Sequence, residues 1–392
     1  MSRTRCGGRG DIHVARDGGQ YNISVLTNDT RVRFRTFRTV TGPRNRAAPH
    51  ASRRVCIVLL SAVGDVVHTL PVVNALKRDD PTRHITWLLQ PGPATLVRGH
   101  PAVDDIIVVE RARGWRGFAD ARRALHARQF DITLALQDYI KAGLLTSFTR
   151  APVRLGFDRA RARDLNWLFT NAHLPPHARQ HVQDEYLEFL AAMNVAAEPL
   201  EWRLGPRDDG RAWQREFTAG FDRPIVSLVI GSSRPEKDWR PDRWAELARV
   251  LRTEYGLAPV IVGARTAREA ATERAILAGA PGTVSALDSG LPRLTAILDA
   301  SALVISLDTG PLHMAVALGR PVVSLLGYTN PARHGPYRRF QDLVVSAYGE
   351  TTRDGLLCTD RRPGRMPRIA VRDVLDAVDH WRSTYARPTI PR

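Results

Sequence analysis

Runs of apolar residues alternate with amphipathic segments along most of the chain after Arg54. Residues 55–60 are typical of a buried parallel strand, and the turn that follows leads into a helix over about 65–78. The same reading predicts strands at 84–89, 105–109 and 131–136, and helices near 93–98, 117–128, 139–148 and 181–193. Such alternation implies right-handed crossovers and a parallel sheet.

A second alternation of the same kind begins at residue 224. It predicts strands at 224–230, 259–262, 283–286, 303–306 and 322–326, with helices at 241–254, 266–278, 291–299 and 310–318. A final helix over about 370–385 is expected to pack back across the domains. The predicted fold class is therefore α/β, with domains at 53–200 and 224–368, a linker at 201–223 and a C-terminal helix and tail at 369–392.

In residues 1–52 the apolar positions show no sustained period of 2 residues, as in a strand, or of 3.6 residues, as in a helix. The segment is rich in Arg, Gly and Thr. The stretch 31–38 alternates like a strand but has no obvious partner in the sequence. We interpret 1–52 as a disordered basic arm or as the result of a misassigned translation start. A tether for nucleic acid or membrane is the alternative.

Charge and composition narrow the class of protein. Of the net charge of +17, residues 1–54 contribute +9, from 12 Arg against 3 Asp, so the body is only mildly basic. It lacks the basic stripe with interleaved aromatics that single-strand binders use, so no nucleic-acid partner is predicted. No apolar stretch is long and clean enough to span a bilayer, and no signal peptide is visible. Three scattered cysteines fit a reducing compartment without a structural metal site, so we expect a cytoplasmic protein.

Ligands of open parallel sheets bind beyond the carboxyl ends of the strands, so the turns that follow strands carry the candidate chemistry. In the first turn Gly64 permits a tight bend and Asp65 opens the helix. Asp65 is either an ordinary cap or a carboxylate that faces a cleft and takes a proton from a hydroxyl. His68, one helical turn later, either lines the same cleft or packs inside.

Two later turns suit a phosphate-bearing ligand. Asp308, Thr309 and Gly310 end a predicted strand and begin a helix, whose backbone amides and Thr309 hydroxyl form a phosphate site, unless these residues only cap the helix. His313 on the first turn of that helix faces either ligand or core. After the strand at 224–230, small hydroxyl residues precede Lys237, one of three lysines in the chain, and a compact cation suits a diphosphate. A solvated surface lysine is the alternative.

Together these turns resemble glycosyltransferase family 9, the heptosyltransferase family. The family's Gly-Asp-x-x-x-x-x-Pro, Lys-x-Trp and Asp-Thr-Gly-x-x-His patterns are matched, in order, by residues 64–71, 237–239 and 308–313. The resemblance implies a GT-B fold, with two Rossmann-like doubly wound domains facing a cleft. It implies an inverting transferase with no metal and no cofactor. Asp65 would be the catalytic base and Lys237 would stabilise the departing diphosphate. The donor pocket would contain Ser232, Ser233, Asp308, Thr309, Gly310 and His313.

The resemblance also extends to the acceptor. Arg113 and Arg116 match an Arg-x-Trp-Arg stretch of heptosyltransferase I enzymes, where arginines meet the anionic Kdo acceptor. Lys141 ends a stretch similar to the family's Gln-Gly-x-x-Lys, with Asp138 in place of Gly. Arg154 begins an Arg-x-Gly-Phe-Asp stretch. Guanidinium groups suit carboxylates, although scattered surface arginines are the alternative in so Arg-rich a chain. The implied acceptor-binding residues are Gly64, His68, Arg113, Arg116, Lys141 and Arg154.

The function implied by the resemblance is heptosyl transfer from ADP-heptose to a Kdo-lipid A or inner-core lipopolysaccharide acceptor, with peripheral contact at the inner membrane. The alternatives are another nucleotide sugar, another cell-surface glycan acceptor, or a non-catalytic nucleotide-sugar-binding protein. Family members often carry a Glu soon after the strand that ends at Gly263, which would bind the nucleotide ribose. Here the first Glu is Glu269, so the nucleotide stays open. A dehydrogenase is disfavoured because no Gly-x-Gly-x-x-Gly follows Leu60.

Overall fold

The computed structural model describes residues 53–386 and, as backbone strands, 12–17, 20–27 and 30–38. These strands form an antiparallel sheet in the order β1–β2–β3: β1 (Ile12–Asp17), β2 (Gln20–Thr27) and β3 (Thr30–Arg38). The stretch 31–38 therefore pairs with β2, and the prediction that it has no partner was wrong. In the sequence, Gly-Gly at 18–19 and Asn-Asp at 28–29 are turn-favouring dipeptides between the segments that form these strands. The rest of 1–52 lies outside the described residues.

The first half of the body contains the predicted alternation of strands and helices. Its elements are β4 (Arg54–Val58), α1 (Val63–Asp79), β5 (His84–Leu89), α2 (Pro91–Val97), β6 (Asp105–Val108), α3 (Trp115–His126), β7 (Ile132–Ala135), α4 (Ile140–Phe148), β8 (Val153–Gly156), β9 (Ala172–His173) and α5 (Val182–Ala192). The strands form a parallel sheet in the order β6–β5–β4–β7–β8–β9. Because helices cover both faces, β4 is buried at every residue after Arg54.

The second half repeats this plan. Its elements are α6 (Asp208–Thr218), β10 (Ile225–Val229), α7 (Pro241–Thr253), β11 (Ala258–Gly263), α8 (Ala267–Gly279), β12 (Val284–Leu287), α9 (Gly290–Ala300), β13 (Leu303–Leu307), α10 (Gly310–Ala317), β14 (Val322–Leu326), α11 (Pro331–His334), β15 (Val344–Ser346), β16 (Thr352–Arg353), β17 (Leu356–Leu357) and α12 (Val371–Thr384). The parallel sheet has the order β12–β11–β10–β13–β14–β15, and β16 and β17 form a small hairpin.

Two predictions about the connections need correction. The segment 201–223, predicted as a linker, contains α6, which packs against α9. Trp213 and Phe217 form its apolar stripe, with their rings stacked, and Phe221 just beyond the helix continues the four-residue spacing, which the surrounding charges and glycines concealed. The final helix α12 packs against α7, β14 and β15 and so belongs to the second half, rather than lying across the domains.

The strand orders place the candidate chemistry at one point in each half. In each sheet the order reverses between the first and fourth strands, β4 and β7 in one half, β10 and β13 in the other. This reversal opens a crevice at the carboxyl ends of those strands. Asp65 and Asp138 follow β4 and β7, while Lys237 and Asp308 follow β10 and β13. Among the helices of the described residues, none is long and apolar enough to cross a membrane.

Candidate active site

Asp65 lies in the first turn of α1 and performs two tasks. One carboxylate oxygen accepts a hydrogen bond at 3.0 Å from the amide of Ala62, which is the N-cap residue, so Asp65 is the third residue of the helix and not its N-cap. The carboxylate also lines a cavity in the cleft, as does the buried Tyr186. Burial raises the pKa of Asp65 to about 6, and the Asp138 carboxylate acts in the same direction, whereas the hydrogen bond from the Ala62 amide lowers the pKa. An acid of this kind exchanges protons near neutral pH.

The N-terminal turn of α1 contacts the N-terminal turn of α10 across the cleft. A Cβ on Gly64 would come within 2.8 Å of a ring carbon of His313, and a Cβ on Gly310 would come within 2.7 Å of the Val63 Cβ. Both glycines are required because the two helix ends approach this closely. Two of the three signature turns, which are about 245 residues apart in the sequence, thus meet at one place.

Lys237 and Asp308 form a buried ion pair in the second half. The Lys237 ammonium donates to Asp308 Oδ2 at 2.6 Å and to the Asp308 carbonyl at 3.2 Å. The Thr329 hydroxyl donates to the same carboxylate. Burial alone would raise the pKa of Asp308, but Lys237, His334 and Thr329 together lower it to about 2. Lys237 is therefore held in place at the carboxyl end of the sheet, and the surface-lysine alternative does not describe it.

His68 is buried against two other histidines rather than exposed in the cavity. Its ring lies 4.3 Å from the His313 ring and 5.7 Å from the His181 ring, centroid to centroid, and it shares a 3.1 Å hydrogen bond with Gln183. Burial lowers the pKa of His68 well below its usual value and that of His313 to about 3, so both rings are neutral. This placement favours packing between the halves over acceptor contact for His68.

The cavity beside Asp65 has a volume of about 660 Å³ and is lined by both halves. Charged and polar side chains of the first half include Asp65, Asp138, Arg163, Arg179, Glu185 and Tyr186. The second half contributes Thr329, Arg333, His334, Asp360 and Arg361. Because Thr329 and His334 also act on Asp308, the cavity connects the first-half carboxylate with the ion pair of the second half.

Most of these lining residues were not identified from the sequence. Thr329 and His334 follow the carboxyl end of β14, so the rule that selected the other turns would have found them. Arg163 follows β8, whereas Arg179 and Tyr186 lie beyond β9, a strand of two residues that was not predicted. The abundance of Arg in the chain gives these arginines no distinct signal.

The remaining predicted donor residues lie around the Lys237 loop and the α10 terminus. The Ser232 hydroxyl donates to Asp238 at 2.8 Å, and Ser233 is exposed. Thr309 is the N-cap residue of α10, but its side chain makes no capping hydrogen bond, and Gly310 begins the helix. The capping alternative for Thr309 is therefore not supported by the geometry.

The predicted acceptor residues outside α1 do not line the cavity. Arg113, Arg116 and Lys141 are exposed at the start of α3 and in α4, and Arg113 pairs with Asp120 at 2.8 Å. Arg154 donates to the carbonyls of Phe169 and Ala151, at 3.0 and 2.9 Å, and so joins β8 to neighbouring loops. Over residues 53–386 no group of three or more His, Cys, Asp and Glu side chains is arranged to hold a metal ion.

Comparison with known proteins agrees with this arrangement. Residues 118–359 match glycosyltransferase family 9 (heptosyltransferase). The chain is 31% identical over 302 residues to the lipopolysaccharide core heptosyltransferase OpsX of Haemophilus influenzae, covering 76% of this chain and 86% of the relative. It is 28% identical over 303 residues to lipopolysaccharide heptosyltransferase 1 of Pseudomonas aeruginosa, covering 74% and 82%.

A solved structure shows the same fold. The heptosyltransferase WaaC of Escherichia coli, solved with ADP, superimposes with a TM-score of 0.65 at 24% identity, over 84% of this chain and 98% of that one. At this identity the likeness establishes the GT-B fold, with two Rossmann-like domains. The match over 118–359 and the relative at 31% identity establish the family. The chain belongs to glycosyltransferase family 9, the heptosyltransferase family, and is a glycosyltransferase.

Proposed function

We propose that this enzyme transfers a heptosyl residue from ADP-heptose to a Kdo-containing lipid A acceptor, with inversion at the anomeric carbon. The observation that carries the proposal is the contact between α1, which bears Asp65, and α10, which follows the Lys237–Asp308 pair. The contact brings a candidate base and a candidate diphosphate site to the two sides of one cleft. The relatives named as lipopolysaccharide heptosyltransferases support the choice of sugar and acceptor.

In this scheme Asp65 is the general base. It takes the proton of the acceptor hydroxyl while the hydroxyl oxygen bonds to the anomeric carbon, on the face opposite the leaving group. A pKa of about 6 leaves the carboxylate mostly ionised at neutral pH and more basic than an ordinary aspartate. A positioned base contributes roughly 10²–10⁴-fold to the rate.

Lys237 and the N-terminus of α10 act on the leaving group. As the bond from the anomeric carbon to the diphosphate oxygen breaks, its electron pair goes to that oxygen and negative charge develops on the diphosphate. The Lys237 ammonium and the Gly310 amide are fixed donors for this charge, since Pro311 has no amide hydrogen and the Leu312 amide donates to the Thr309 carbonyl. Asp308 holds Lys237 in position through their ion pair. We assign the donor to residues 224–368 and the acceptor to residues 53–200.

The nucleotide is the least constrained part of this proposal. Glu269, the first Glu after β11, is buried within the N-terminal cap of α8. Its two oxygens accept hydrogen bonds from Ala264 and Thr266 at 2.6–3.1 Å. A carboxylate so occupied is not available to a ribose without rearrangement. This observation favours testing other nucleotide sugars beside ADP-heptose.

The acceptor site carries several arginines, as an anionic glycolipid requires. Arg163 and Arg179 reach the cavity from the first half, and Arg361 from the second. Guanidinium groups bind carboxylates and phosphates through paired hydrogen bonds. A lipid-anchored acceptor would bring the enzyme to the inner face of the cytoplasmic membrane, and we propose peripheral contact there and no nucleic-acid partner.

A donor panel tests the proposal. The purified protein is incubated with Kdo-lipid A and, in separate reactions, ADP-heptose, ADP-glucose, UDP-glucose and GDP-mannose, and products are identified by mass spectrometry. We expect a product that is heavier by one heptosyl unit with ADP-heptose, and at most traces elsewhere. Efficient transfer from a different nucleotide sugar, with none from ADP-heptose, would replace the proposed donor.

A further inference from the structure

We propose that Arg268 is a positioning residue for the donor site, because it binds the Asp238 carboxylate and so keeps that negative charge from opposing Lys237 at the diphosphate. The inference rests on the function proposed above, which assigns Lys237 to the departing diphosphate. Asp238 is the residue between Lys237 and Trp239 in the Lys-x-Trp motif. The motif belongs to the segment 230–240 between β10 and α7, which we call the donor loop.

The donor loop is held on both sides by the segments that follow the neighbouring strands. In the sheet, β10 lies between β11 and β13. On the β13 side, Lys237 pairs with Asp308. On the β11 side, the guanidinium of Arg268, in the first turn of α8, donates to Asp238 Oδ2 and, at 3.1 Å, to the Ser232 carbonyl. Two consecutive residues of the donor loop therefore direct their charged side chains to opposite sides.

The Asp238 carboxylate is bound through both of its oxygens. Its Oδ1 accepts a hydrogen bond from the Ser232 hydroxyl at 2.8 Å, and its Oδ2 pairs with Arg268. Burial raises the pKa of Asp238, while Ser232 and Arg268 act against this and favour the ionised form. The donor loop thus contains a carboxylate next in sequence to the cation that serves the diphosphate, and the guanidinium of Arg268 offsets its charge.

Without Arg268 the charge of this carboxylate would be uncompensated. The Arg268 and Asp238 side chains are 41% and 24% exposed, so the pair is not buried enough to be needed for folding. A diphosphate is strongly anionic, and an unpaired negative charge beside the cation that binds it opposes binding. Arg268 therefore acts on donor binding through Asp238, and no contact between Arg268 and the donor is required.

The test is a cycle of three variants, Arg268→Gln, Asp238→Asn and the two combined. ADP, UDP and GDP are first titrated into the wild type by calorimetry, and the nucleotide that binds most tightly is used for every variant. We expect Arg268→Gln to weaken its binding by roughly tenfold and to raise the KM of the donor by a similar factor. The double variant should bind within about twofold of the wild type, because the carboxylate that Arg268 neutralised is also gone. Asp238→Asn alone should not weaken binding.

Arg211→Gln is the matched control. Arg211, in α6, pairs with Asp299, in α9, and its side chain is 44% exposed, against 41% for Arg268. Asp299 lies at the end of α9, just before β13, and so at the edge of the sheet opposite to the donor loop. Nucleotide affinity should be unchanged in this variant. In all variants the melting temperature and the KM for Kdo-lipid A should stay close to the wild-type values, which separates a local effect on the donor from misfolding.

The outcomes separate this inference from the proposed function. Loss of affinity in Arg268→Gln and its recovery in the double variant support the inference. Weak binding in both proteins overturns it, because a structural tie, or a direct contact of Arg268 with the donor, would be lost in both alike. Unchanged binding in Arg268→Gln overturns it as well. A wild type that prefers UDP or GDP would contradict the proposed donor alone, since the variants are still compared on the nucleotide that binds.

Discussion

Arg333 and Glu185 form a two-pronged ion pair that joins the halves of the molecule beside the active-site cavity. The guanidinium nitrogens of Arg333, in α11, donate to the two carboxylate oxygens of Glu185, in α5, at 2.7 and 2.9 Å. The Arg333 side chain is 10% exposed and the Glu185 side chain 3%. Because neither charge can turn to water, each depends on its protein partners, and for Glu185 the shortest of these contacts are the two to Arg333.

Removal of one partner should therefore be costly. We expect Arg333→Ala to lower the free energy of unfolding by about 3 kcal/mol, because it leaves the buried Glu185 carboxylate with only the longer ion pair to Arg179, at 3.3 Å. Arg338→Ala is the matched control, since Arg338 pairs with Glu198 across the same two halves but both side chains are more than half exposed. Its cost should stay below about 1 kcal/mol. The free energies of unfolding are measured by denaturant unfolding. Equal decreases in the two variants would show that burial does not make the Arg333–Glu185 pair more stabilising than the exposed pair.

Gly64 should be intolerant of a methyl group. Alanine is the better helix former, yet a Cβ at Gly64 would lie 2.8 Å from the buried His313 ring. We expect Gly64→Ala to reduce stability by about 1–3 kcal/mol, because His313 is itself packed against His68. Gly92→Ala in α2 is the control, because its Cβ would meet no heavy atom within 4 Å. A Gly64→Ala variant with the same melting temperature as the wild type would contradict the tight contact of α1 and α10.

The Lys237–Asp308 pair permits catalysis to be separated from stability. Lys237→Ala should reduce turnover by roughly 10²–10³-fold, because a fixed cation at the developing diphosphate charge is lost. It should also destabilise the protein, since Asp308 is left buried without its ammonium. In the double variant with Asp308→Asn, we expect stability to recover and turnover to stay low. Recovery of turnover along with stability would make Lys237 a structural residue only.

Buried neutral histidines should make the protein sensitive to mild acid. The folded-state pKa of His313 is about 3, below the usual value of 6.5, so the unfolded chain binds the proton first. Stability is therefore lost as pH falls below about 6.5. Between pH 7.5 and 5 this group alone should cost about 2 kcal/mol. Denaturant unfolding at pH 7.5 and at pH 5 measures this loss of stability. We expect the loss in His313→Asn to be smaller than the loss in the wild type by that amount. Parallel losses in the two proteins would show that His313 is protonated in the folded state.

The sequence predicts the sheets well and the connections poorly, for physical reasons. Strands such as β5 and β14 are short, mainly apolar runs whose bounds were predicted to the residue, because every position in them except His84 is buried. Helix α6 was missed because most of its residues are polar and exposed. Its apolar stripe consists of aromatic residues only, so the helical period is weak. Strand β9 has two residues, too few to show any period.

The candidate site divides in the same way. Asp65, Lys237 and Asp308 were identified because each follows a strand at the switch point of its sheet. Tyr186 and Arg333 were not, because the pairing of α5 with α1 and α11 is a long-range event that leaves no local pattern. His68 shows the converse limit, since a histidine one turn into a helix looks the same whether it packs or faces a cleft.

The most direct test of the account is the turnover of Asp65→Asn, with ADP-heptose and Kdo-lipid A, at the pH optimum of the wild type. Asparagine keeps the size of the side chain and an oxygen for the Ala62 amide, but it cannot take a proton. A raised pKa means that burial destabilises the ionised form of Asp65 in the folded protein. A neutral asparagine avoids this penalty, so the variant should be at least as stable as the wild type. We predict a folded protein whose turnover is lower by roughly 10²–10⁴-fold. A folded Asp65→Asn protein with more than half of the wild-type turnover would contradict the assignment of Asp65 as the base.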